Sequence, residues 1–184
     1  MVISQNQRPN YEQKEMSLDL IDGDLAKALD YWRSLTLDDC LPSWSDFDFM
    51  KIPLSLIPKS HVCDAIDGGQ DFLCRFWGTA VTDLVGINMT GKLISTMSPS
   101  TQLVDTMIRE MRKTVTSKKP RLLSSHLHHQ YGSSIFQILL RLPLTNNDGE
   151  VAHCLTLAEY LFDYDQSKKH FESLKQPSAS VVAE

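Results

Sequence analysis

The chain has 184 residues, 22% of them charged and 42% hydrophobic, with a formal net charge of −5. That length suits one domain with appendages, and a core of this size needs no disulfide or metal to hold it. A mildly acidic balance excludes the whole-molecule positive field that draws proteins onto nucleic acid or anionic lipid.

The four cysteines, Cys40, Cys63, Cys74 and Cys154, form no C-x-x-C pair and no zinc-finger spacing, so they read as reduced thiols. Residues 1–16 are polar, with no apolar signal core. No stretch approaches the roughly 20 apolar residues of a membrane span. These features predict a cytoplasmic protein with neither a membrane nor a nucleic acid as partner.

Residues 1–16, rich in Gln and Asn, are expected to be a disordered arm. From 17 to 59 the chain reads as one helix and a connector. Leu18, Ile21, Leu25, Leu29 and Trp32 recur at helical spacing, and Leu25 to Leu35 is the secure part of that helix. Pro42, Pro53 and Pro58 then punctuate a connector that can hold neither a long helix nor a central strand. Ser60–Ile66 and Asp71–Gly78 are strand candidates joined by the turn Asp67-Gly68-Gly69. Thr79 to Val85 supplies one or two helical turns before Gly86. Ser98-Pro99 is a helix start, and Leu103, Met107, Met111 and Val115 repeat every fourth residue up to the stop at Pro120. Arg121–Gln130, Ser134–Leu144 and Val151–Leu161 are three further strands, with Gly132 and Asn147-Asp148-Gly149 in the turns. A short helix over residues 163–175 and a tail over 176–184 finish the chain. The order predicts an α+β domain over 60–162: a five-stranded antiparallel sheet, helices on one face, and an N-terminal helix outside the core.

Several runs carry a family resemblance. Tyr31-Trp32-Arg33-Ser34-Leu35, Leu41-Pro42-Ser43, Ile52-Pro53 and Leu56-Ile57-Pro58 open it. Phe72-Leu73-Cys74-Arg75-Phe76-Trp77-Gly78-Thr79-Ala80, Leu84-Val85-Gly86 and Met89-Thr90-Gly91-Lys92 form its centre, and Arg141-Leu142-Pro143-Leu144 with Asp148-Gly149-Glu150 closes it. Over residues 29 to 160 the chain resembles a bacterial family of short PAS-like proteins. The resemblance implies a PAS fold and a sensory or regulatory role in bacterial signalling. It supplies no ligand and no site residues.

Chemistry-bearing motifs are few. His126 and His128 share a strand face about 7 Å apart and are weak metal candidates that lack a third ligand. His129 points the other way, and His153 with Cys154 is a second group. No histidine stands on the 100–117 helix where haem-binding PAS domains commonly place one. Cys74-Arg75-Phe76 resembles the Cys-Arg-Phe of flavin photosensors, but it follows Leu73 on a strand. The cofactor is therefore unknown. No nucleophile elbow, zinc-protease motif or phosphate loop appears, which argues against an enzyme and names no catalytic residue. Arg109, Arg112, Lys113, Lys118, Lys119 and Arg121 are a solvated helix face or a docking patch for an acidic partner.

The expectation is a PAS-like module that binds a small apolar ligand or a signalling partner and acts in trans. Phe76, Met107, Met111, Phe136 and Leu140 are the pocket candidates. Leu18, Ile21, Leu25, Leu29 and Trp32 are the candidates for a homodimer interface, unless the stripe folds back on its own sheet. The rival functions are an adaptor whose core is filled by side chains, and a small-molecule enzyme with a His and a carboxylate facing a cavity.

Overall fold

The structure, a computed structural model, describes residues 11–37, 40–97, 101–128 and 134–161. The expected cap at Ser98-Pro99, His129, the Gly132 turn, the 163–175 helix and the 176–184 tail lie outside the described residues.

The elements in chain order are β1 (Tyr11–Met16), α1 (Gly23–Ser34), β2 (His61–Ile66), β3 (Asp71–Trp77), α2 (Thr79–Val85), α3 (Thr101–Ser117), β4 (Arg121–His128), β5 (Ser134–Thr145) and β6 (Val151–Leu161). Short 3-10 turns at Phe49–Lys51 and Leu54–Lys59 interrupt the proline-bearing connector. One sheet runs β1-β4-β5-β6-β2-β3, and every pair in it is antiparallel. All five expected strands are present. The β2–β3 turn works because Gly68 and Gly69 adopt φ of 69° and 88°, which side-chain-bearing residues rarely do.

The sixth strand corrects the sequence reading. Tyr11–Met16 is not an arm but an edge strand on β4. Its polar composition hid it: only Tyr11 is buried, while Lys14 and Glu15 are exposed. An edge strand pairs on one side only and needs little apolar material.

The sheet is covered on both faces, not one. The inner face carries α2 and α3, with Phe72, Cys74, Trp77, Val81, Met107, Met111 and Val115 in one cluster. The outer face carries α1 and the connector. There Leu25, Ala28, Leu29 and Trp32 pack with Val62, Leu140, Leu142, Leu155 and Leu157. The Trp32 indole donates to the Pro143 carbonyl at 3.1 Å. The N-terminal helix is therefore part of the core, and its stripe folds back on its own sheet. Leu25, Leu29 and Trp32 are buried and not available to a partner; Leu18 and Ile21 pack partly against the same cluster. α1 starts only at Gly23, whose φ of 58° separates the Leu18–Leu20 turn from the helix.

Candidate functional site

Register places one row of side chains across the inner face. Trp77 on β3 stands opposite His61 on β2, His61 opposite Thr156 on β6, Thr156 opposite Arg141 on β5, and Arg141 opposite Arg121 on β4. Neighbouring strands lie about 4.8 Å apart, so Trp77 and Arg141 stand roughly 14 Å apart along the row.

The two arginines meet different surroundings. Arg121 reaches Glu15 through Nε at 3.0 Å and Nη2 at 2.8 Å, and its Nη1 donates to the Glu110 carbonyl at 2.9 Å. Its Nη2 also meets Glu110 Oε2 at 3.0 Å. Burial pushes the Glu110 carboxyl up, but hydrogen bonds from Lys113, Arg109 and Arg121 outweigh it and hold the group down at about 2. Arg141 is fully buried, and its Nε and Nη1 have no hydrogen-bond partner. It makes no ion pair among the described residues.

Arg141 borders a cavity of about 40 Å³ between the inner face and the helices α2 and α3. Room of that size suits roughly three waters. Val81, Leu84, Val85, Leu103 and Met107 line its apolar side; His61, Trp77, Gln137, Arg141 and Thr156 line its polar side. Lys59 also borders it, and among the described residues no carboxylate does. The Trp77 indole nitrogen and His61 Nε2 are buried without partners. Thr156 Oγ1 is buried and lies near the Cys154 thiol, a weak partner. Buried polar atoms are normally satisfied, and here several that lack a partner among the described residues belong to residues bordering one cavity.

His61 lies 5.0 Å from the Trp77 ring, centroid to centroid. Burial, followed by the Arg141 charge, holds its imidazole down at about 3. In the unfolded chain it titrates near 6.5. The folded state therefore refuses a proton that the unfolded state takes up. Stability is fully present above pH 6.5 and declines as the pH falls towards 3, by about 1.4 kcal/mol per unit. Glu110 keeps its contribution until below pH 4.5. Urea unfolding of the unliganded protein should therefore show a loss of about 2 kcal/mol between pH 6.5 and 5. His61→Gln should remove most of that slope; an equal slope in the variant would show that His61 is not its source.

Below the row, Cys74, Cys63 and Cys154 stand side by side as buried free thiols. The Cys63 and Cys74 sulfurs are 3.4 Å apart. Burial raises the Cys63 thiol well above its ordinary range and Cys154 to about 11, so both are protonated and inert near neutral pH.

The family model of the PAS domain matches residues 23–158. The chain belongs to the PAS domain family. No curated protein matches the sequence significantly. Among solved structures, this PAS domain is similar to Vibrio cholerae VqmA, described as a dimer with a target DNA and as a LuxR-type receptor. Identity is 13%, with 55% of this chain and 46% of that chain covered and a TM-score of 0.45. It is also similar to the LOV domain of the blue-light photoreceptor Aureochrome1, at 13% identity, 64% and 91% coverage, and a TM-score of 0.43. An RNA-binding light-oxygen-voltage receptor matches at 14% identity, 91% and 44% coverage, and a TM-score of 0.44. The present chain spans about half the length of the VqmA chains it matches. No residue role passes across at such identities.

Within this PAS domain the five expected pocket residues divide. Met107 borders the cavity, and Met111 is buried in the inner cluster beside it. Leu140 is buried on the outer face beneath α1, and Phe136 shares its strand phase and stacks on His126 at 4.1 Å. Both faces of β5 are apolar there, so its sequence does not reveal which face is which. Phe76 also packs outward, against Phe49. The cause is a bulge: Val62 pairs with Phe76 but Cys63 with Cys74, which leaves Arg75 unpaired and reverses the alternation. Arg141, His61, Trp77 and Thr156 escaped the sequence reading. A lone arginine between Leu139, Leu140 and Leu142 was the available signal.

The remaining polar candidates are structural. His153 bonds Asp64 at 2.7 Å on the outer face, and Asp64 also takes a two-pronged contact from Arg75. Cys154 faces inward, so the His153 and Cys154 group is split by the sheet. Among the described residues, no group of three or more His, Cys, Asp or Glu side chains is placed to hold a metal. The basic segment is largely engaged: Arg109 and Lys113 pair with Glu110, and Arg112 donates to the carbonyls of Gly69 and Gln70. Arg121 is buried and belongs to no docking patch. No helix among the described residues is long and apolar enough to cross a membrane.

Proposed function

We propose that this PAS domain is a sensory or regulatory module that binds a small ligand in the inner-face cavity and passes its occupancy to a partner in trans. The observation that carries this reading is that Arg141, Trp77 and His61, each with a buried polar atom lacking a partner among the described residues, border one cavity. An adaptor with a filled core needs neither the space nor the unpaired groups. An enzyme needs a working acid–base pair; His61, held at about 3, is too weak a base near neutral pH, and among the described residues no carboxylate joins it in the cavity. The polar wall also replaces the expected purely apolar ligand with one that is part polar. A bacterial, cytoplasmic signalling role and a homodimer belong to the same proposal, with any dimer interface placed elsewhere than on the buried face of α1.

Native mass spectrometry of freshly purified protein tests the reading. We expect a species heavier than the 20.9 kDa chain whose added mass leaves on acid unfolding. A bare chain that also binds nothing from a metabolite panel would favour the filled-core adaptor.

A further inference from the structure

We infer that the ligand of the inner-face cavity is a small organic monocarboxylate, its carboxylate held by Arg141 and its short apolar tail turned towards α2 and α3. This rests on the reading of the cavity as a ligand site and names the class of molecule that site takes.

Charge comes first. Arg141 and Arg121 stand directly opposite each other on neighbouring strands, an arrangement that is unfavourable unless each is neutralised. Arg121 has Glu15 and Glu110. Among the described residues Arg141 has no carboxylate partner, and the cavity beside it adds Lys59 and no acid. A fully buried, unpaired charge is among the costliest features an interior can hold. An anion in the cavity removes that cost, whereas a neutral ligand of the same size leaves the charge in place.

Geometry then selects the anion. Arg141 Nε and Nη1 are unpaired donors of one guanidinium, whose charge a carboxylate meets with charge-assisted hydrogen bonds. The Trp77 indole N–H and the Thr156 hydroxyl are further donors on the same wall. Val81, Leu84, Val85, Leu103 and Met107 add surfaces that suit a hydrocarbon tail. The cavity, about 40 Å³, limits the ligand to a few heavy atoms unless side chains such as Met107 shift.

The test is thermal unfolding of the full chain at fixed pH and ionic strength with sodium acetate, propionate, butyrate or pyruvate. The matched neutral amides and inorganic phosphate serve as comparators, with sodium chloride as the salt control. At a hundredfold excess over Kd the best carboxylate should raise Tm by about 5 °C or more, and its amide should not. Arg141→Met should raise the Tm of the unliganded protein and abolish the carboxylate response; Arg141→Lys, which keeps charge without the fork, should retain a weakened response. Equal stabilisation by acid and amide, or an undiminished response in Arg141→Met, overturns the carboxylate assignment while leaving ligand sensing intact. Phosphate acting where every carboxylate fails also overturns it. If no probe binds and the native spectrum shows a bare chain, both readings fall. Should Arg141→Met not fold, the acid-against-amide comparison on the wild type still decides.

Discussion

Gly78→Ala should cost at least about 3 kcal/mol, enough to remove a large share of the 5–15 kcal/mol that holds a typical domain together. Gly78 follows β3 and caps α2, and its N–H donates to the Ser60 carbonyl at 2.8 Å. Its φ of −63° suits any residue, so conformational freedom is not the reason glycine stands here. Space is the reason. A Cβ at this position would lie 2.2 Å from the Pro58 carbonyl oxygen, 2.6 Å from its carbon and 2.8 Å from the Ser60 oxygen. All three are backbone atoms and cannot turn aside as a side chain can. Relief requires the connector to separate from β3, which opens the wall that brings Lys59 and His61 to the cavity. Urea denaturation should show a much lower midpoint with an unchanged m value. A loss under about 1 kcal/mol would mean that the connector yields freely and that the close approach is not a constraint.

Trp32→Ala should cost about 3–5 kcal/mol, and the cost should not depend on protein concentration. Trp32 is only 4% exposed, packs in the outer-face cluster and makes the indole bond to Pro143. Truncation leaves a large void and an unpaired carbonyl on β5. Were α1 a dimerisation element, the loss would grow on dilution as the dimer came apart. Denaturation at two concentrations a hundredfold apart separates the cases, and equal losses are expected. Deleting residues 1–35 should aggregate the protein, because it uncovers Leu140, Leu142, Leu155 and Leu157 together and also removes the edge strand β1.

The sequence was legible where local chemistry acts alone. Turn residues such as Asp67-Gly68-Gly69 and alternating runs placed five strands to within two residues at each end, and the four-residue repeat set the phase of α3 correctly, with Met107 and Met111 buried. It was opaque where tertiary pairing decides. Tyr11–Met16 is a strand because β4 offers an edge and Arg121 a partner for Glu15, neither of which the six residues announce. Phe76 turned outward because of a bulge at Arg75 that no residue type signals. Leu140 and Leu139 are equally apolar, so only the two-sided cover of the sheet assigns one to each face. The stripe from Leu25 to Trp32 was read correctly as apolar, but its partner surface lies more than a hundred residues away on β5 and β6. Arg141 stands in plain view among leucines; what makes it a candidate is that no acid among the described residues lines the cavity beside it, which only the assembled fold displays.

The central claim is that the cavity beside Arg141 receives a ligand, and a high-resolution crystal structure of protein purified without exhaustive dialysis tests it most directly. We expect a bound organic anion with oxygens within hydrogen-bond distance of Arg141 and of the Trp77 indole or the Thr156 hydroxyl. Ordered water alone at Arg141, or one of the chain's own carboxylates paired with it, would contradict the account.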